Sequence, residues 1–89
     1  GTAWPYLLGA FITAYSKLYG ATSDGRETLI KFFEPVKKHL MNDNCIGGIC
    51  EVFDGDKPHM GGGCYTQAWS VGEILRAYTE DVIRKKKPV

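Results

Sequence analysis

Between Ile49 and His59 the chain reads Ile49-Cys50-Glu51-Val52-Phe53-Asp54-Gly55-Asp56-Lys57-Pro58-His59, which gathers three carboxylates and an imidazole into one short stretch. Groups of this kind hold cations or move protons. A carboxylate can serve in proton transfer when it is partly shielded from water and its orientation is fixed. Glu51 fits that description best, because its neighbours Ile49, Val52 and Phe53 are apolar and can anchor the segment against a core while the glutamate projects elsewhere. Asp54 and Asp56 flank Gly55 and read as turn formers. Composition and spacing by themselves favour a solvated acidic loop over a catalytic one.

A metal reading draws on Cys45, Cys50, His59 and Cys64. Structural zinc sites bring cysteines together in tight knuckles, and no C-x-x-C pair occurs here, so the thiols read as inert packing groups. Calcium would need ligands in the register of an EF-hand loop, and Asp54-Gly55-Asp56 does not supply it. Neither a metal nor another cofactor is expected. An odd count of three cysteines is too few for a secreted disulfide scaffold and points to a reducing, cytoplasmic setting.

The elements that must position these residues are helical. Apolar residues Leu7, Leu8, Phe11, Ile12, Tyr15, Leu18 and Tyr19 recur at three- and four-residue steps and predict a helix from about Pro5 to Tyr19. Ser23 or Asp24 can cap a second helix carrying Leu29, Phe32, Phe33, Val36 and Leu40, which Pro35 should kink or break near Phe33-Glu34. From Asn42 to about Cys64 the periodicity stops and glycine dominates, the mark of a long functional loop. A third helix follows, capped by Thr66, with Trp69, Ile74, Leu75, Tyr78, Val82 and Ile83 facing one way. Gly72 inside it suggests a close neighbour that needs the space. The fold class is all-α, with three main helices plus a long Gly-rich loop.

The 89 residues suffice for one small domain, and 44% hydrophobic with 24% charged residues is ordinary globular composition. The net charge of +1 and the scattered basic residues give no reason to expect a nucleic-acid partner, the run Arg84-Lys85-Lys86-Lys87 reading as a solvated helix end. No apolar run is long enough to span a membrane, so no membrane partner is expected. The sequence starts without methionine and reads as a piece of something longer. Trp4, Tyr6, Tyr65 and Trp69 sit near the starts of the first and third helices. If those starts face the loop, they wall a pocket suited to the C–H faces of a sugar, with Gln67, Ser70 and His59 able to hydrogen-bond its hydroxyls.

Three motifs in order carry a resemblance: Gly1-Thr2-Ala3-Trp4-Pro5; Glu51-Val52-Phe53-Asp54-Gly55-Asp56 with Pro58-His59; and Gln67-Ala68-Trp69-Ser70 with Val71, Glu73, Ile74 and Leu75. Together they resemble the C-terminal end of glycogen debranching enzymes, over the chain from Gly1 to about Tyr78. The resemblance implies that residues 1–89 are the C-terminal portion of an (α/α)6 toroid of the glucoamylase kind, an incomplete domain that docks onto the remainder of that toroid. It further implies an amylo-alpha-1,6-glucosidase acting on glycogen or another branched α-glucan with inversion at the anomeric carbon. Inverting hydrolysis uses two carboxyl groups about 6.5–9.5 Å apart, one protonating the leaving oxygen and one activating water. By resemblance Glu51 is the general base, the general acid is an aspartate upstream of this chain, and Trp4, His59, Gln67 and Trp69 lie around the sugar pocket. The chain alone is then expected to be inactive and, with apolar surface uncovered, to self-associate. The rival class is a non-catalytic helical module that binds a protein partner or a metal.

Overall fold

The computed structural model describes residues 1–43 and 46–84; Cys45 and the lysines at 85–87, with the expectations placed on them, lie outside those residues. The chain is mostly helical. Its first apolar stripe winds into α1 (Tyr6–Tyr19), led in by Pro5, whose φ of −64° is already that of a helix. The next helix, α2 (Ser23–Lys31), is capped by Thr22 rather than by Ser23 or Asp24. Thr22 is extended, and its Oγ1 accepts the Gly25 amide at 3.0 Å.

Pro35 breaks the second apolar stripe in two. A proline crowds the carbonyl four residues before it, and α2 ends at that residue, Lys31. Phe32 and Phe33 turn the chain, donating amides to the Leu29 and Ile30 carbonyls at 3.2 and 3.1 Å. α3 (Glu34–Asn42) then starts afresh with Pro35 in its first turn. α4 (Ala68–Ala77) is led in by Gln67 instead of Thr66 and continues as a π-helical segment, Tyr78–Ile83. Among the described residues there are thus four α-helices where three were expected.

The glycine-rich stretch is more than a loop. Its β2 (Val52–Asp54) lies between β1 (Thr2–Ala3) and β3 (Gly61–Gly62) in a small antiparallel sheet. Thr2 faces Asp54 and Ala3 faces Phe53 on one side; Val52 faces Gly62 and Phe53 faces Gly61 on the other. The turn at Asp54 and Asp56 is closed by backbone groups: the Asp54 amide donates to Met60 at 2.9 Å and the His59 amide to Asp56 at 2.8 Å.

The core draws Ile12 from α1, Leu29 from α2, Phe33 from the turn, Ile49 from the loop and Ile74, Ala77 and Val82 from the C-terminal end. α1 packs along α4, and that end buries Ser70 and Asp81 beside Ile74 and Val82 while Trp69, Leu75, Tyr78 and Ile83 stay exposed, so the expected single apolar face is split. The tight approach between the two helices is at Gly9, where a Cβ would come within 2.5 Å of Glu73 Oε1, and not at Gly72, which faces open space. A polar clamp fastens the pair: Arg76 donates to both oxygens of Glu73 and to Thr13 Oγ1, and Thr13 donates to Asp81 at 2.7 Å. No helix among the described residues is long and apolar enough to cross a membrane.

Candidate active site

Three backbone ties fix the tripeptide that ends at Glu51. The Ile49 carbonyl accepts the Gln67 amide at 2.9 Å, which joins the loop to the start of α4. The Cys50 amide donates to Nε2 of His39 on α3 at 3.2 Å. The Glu51 amide donates to the Cys64 carbonyl at 3.1 Å, just past β3. Of the apolar neighbours expected to anchor the segment, Ile49 is buried while Val52 and Phe53 are half-buried, and Cys50, fully buried, shares the anchoring.

The Glu51 carboxylate is itself held. Its Oε1 accepts the Cys64 amide at 3.2 Å, the reciprocal of the bond from the Glu51 amide. Its Oε2 makes no hydrogen bond among the described residues, and the side chain is half-buried. One oxygen pinned and the other open is an arrangement able to accept a proton from water without losing its orientation. Gly63 makes room for it: φ is +69°, and a Cβ there would come within 2.5 Å of Oε1 and 3.0 Å of the Glu51 Cβ.

The aromatic wall forms from part of its expected set. Tyr6 stacks on Trp69 with ring centroids 4.6 Å apart and an interplanar angle of 20°. Trp4 meets Trp69 edge-on at 6.3 Å. Both indoles are partly open to solvent, while Tyr65 is exposed and stands outside this stack. The Gln67 amide bonds the carbonyl of Ile49, two residues before Glu51, which sets Gln67 beside that loop. Ser70 is fully buried, and its Oγ has no hydrogen-bond partner among the described residues, so it does not present a hydroxyl to a ligand as expected.

Of this group, Trp4 alone shares a groove with His59. Its ring Nδ1 is 3.1 Å from the Asp54 carbonyl, and its backbone has a positive φ of 60° at the tip of the β2–β3 hairpin. With Trp4, Phe53 and the end of α3 it borders a groove of about 880 Å³. Glu51, Gln67 and Trp69 are not among the residues that line that groove. Among the described residues no three of His, Cys, Asp and Glu come together as a metal site.

Two residues that shape the site have no place in the sequence reading. His39 falls on the apolar stripe, three residues after Val36 and seven after Phe32, and is 4% exposed. A histidine on a buried stripe was the available signal. Gly63 was one of a run of three glycines, Gly61-Gly62-Gly63, with nothing in the sequence to distinguish it.

The model of one family, described as amylo-alpha-1,6-glucosidase, matches residues 1–76. The match takes in β1, the Glu51 loop and most of α4. Comparison with curated proteins and with solved structures gives no match.

Proposed function

The chain belongs to the amylo-alpha-1,6-glucosidase family, and from that premise we propose that it carries the catalytic base of an inverting glucosidase that removes α-1,6-linked glucose at glycogen branch stubs. Glu51 is the general base: Oε2 takes a proton from the water that attacks the anomeric carbon while the Cys64 amide holds Oε1. The general acid is an aspartate outside these residues. Neither Asp54 nor Asp56 substitutes for it. Trp4, Gln67 and Trp69 border the glucose on the Glu51 side, and His59 contributes from the hairpin tip. The observation that carries this reading is the tethered Glu51 carboxylate with one oxygen open.

Residues 1–89 act as the C-terminal portion of an (α/α)6 toroid in the cytoplasm. The remaining helices of the toroid seat on exposed apolar side chains of α1 and α4, among them Leu7, Phe11, Leu18 and Leu75, which range from 49% to 74% exposed. Two experiments test the reading. In the full-length enzyme containing this chain, Glu51→Gln lowers glucose release from a branched limit dextrin by about 10²–10⁴-fold, as expected for loss of a general base; normal turnover would sink the assignment. The 89-residue chain by itself releases no glucose above blank, and measurable release would show that it needs no partner carboxyl.

A further inference from the structure

We propose that His39 is a positioning residue for Glu51, a role that deepens the base assignment above and rests on it. The loop reaches Glu51 through Cys50, which is fully buried and lies just outside β2. A buried N–H needs an acceptor, because leaving it without one is costly. His39 Nε2, 3.2 Å away, supplies the acceptor.

An amide can only donate, so Nε2 is the bare nitrogen and the neutral ring carries its proton on Nδ1. Asp43 Oδ2 lies 3.4 Å from Nδ1 and favours that tautomer. The ring of Phe53 packs edge-on to the imidazole, with centroids 4.6 Å apart. His39 thus touches the residue before Glu51 and the residue two after it. It ties α3 to the segment that aims the carboxylate, and it does so by an acceptor that leucine, of similar bulk, cannot offer.

The test compares His39→Leu with His39→Gln, whose amide oxygen can reach the Nε2 position. In the ¹⁵N-labelled 89-residue chain, two-bond imidazole correlations show the neutral Nδ1–H tautomer; a neutral ring protonated on Nε2 overturns the proposal. His39→Leu displaces the amide signals of Cys50, Glu51 and Cys64, and His39→Gln returns them close to wild type. Unmoved Glu51 and Cys64 amides in the leucine variant overturn it. Should the leucine chain not fold, the glutamine chain decides: near-native amides support the role and displaced ones refute it. In the full-length enzyme His39→Leu lowers kcat on the order of ten- to a hundredfold with KM little changed, as for a misaimed group, and His39→Gln recovers most of it. Wild-type kcat in the leucine enzyme refutes the role. A fully active Glu51→Gln enzyme would strike instead at the base assignment and leave the tautomer and amide results standing.

Discussion

Gly63 and Glu51 illustrate how a residue without a side chain can specify the place of one that has it. Left-handed backbone costs a residue with a Cβ about 1–2 kcal/mol, and at Gly63 the added carbon would also meet Oε1 within 2.5 Å. Gly63→Ala is therefore expected to lower stability by at least about 1 kcal/mol in urea unfolding and to break the Cys64–Glu51 bond, seen as a shift of the Cys64 amide. Glycine at 62 offers a control. A Cβ there meets only Val52 at ordinary contact distance, so Gly62→Ala should leave the Cys64 amide in place. The base role proposed for Glu51 draws on its apolar neighbours and on the resemblance of its motif, both of which the sequence carries. The contacts of Gly63 and His39 with that segment could not be read there, since both depend on where a chain segment distant in sequence comes to lie.

At the scale of elements, caps and clamps decide where helices begin and how they join. Thr22→Ala removes the acceptor for the Gly25 amide and should cost about 1 kcal/mol of stability, measured by thermal or urea unfolding. Between α1 and α4 the clamp is ionic. The Arg76 guanidinium, hydrogen-bonded to Glu73, holds that carboxyl below its ordinary pKa, and burial opposes this more weakly. A depressed carboxylate pKa means that the folded chain binds the proton less readily than the unfolded one. The stabilisation is thus complete above the ordinary value of 4.5 and fades as pH falls through the lower folded value. Glu73→Gln should accordingly lower the melting temperature at neutral pH and differ less from wild type as pH falls below 4.5, the partly exposed pair keeping the effect small. The helices were legible from apolar spacing, and Pro35 marked the break between α2 and α3. The strands were hidden for a physical reason: both residues of β3 are glycines, which show no alternation, and β1 pairs with β2 across some fifty residues of sequence, a contact no local pattern encodes.

Taken whole, the molecule leaves much of its apolar side-chain surface uncovered. A cavity of about 420 Å³ between α3 and α4 is lined by Phe33, Val36, Lys37, Leu40, Ile49, Val71, Ile74, Leu75 and Tyr78. Exposed apolar surface of this extent favours association. The 89-residue chain is expected to self-associate in sedimentation velocity at micromolar concentration, and Leu75→Lys, at a residue 64% exposed on the rim of that cavity, should shift it towards monomer. An unchanged distribution would direct attention to the α1 face instead. How far this surface extends could not be read from periodicity, which locates apolar stripes without saying which are covered. The small sheet has a last consequence. Because Thr2 and Ala3 are bonded to the hairpin and Trp4 follows them directly, with Gly55 also tied to the Gly1 carbonyl at 2.7 Å, the first indole and the hairpin tip are fastened to one another. The two sides of the groove that Trp4 and His59 border are thereby set by a single strand pairing, although more than fifty residues of chain lie between them.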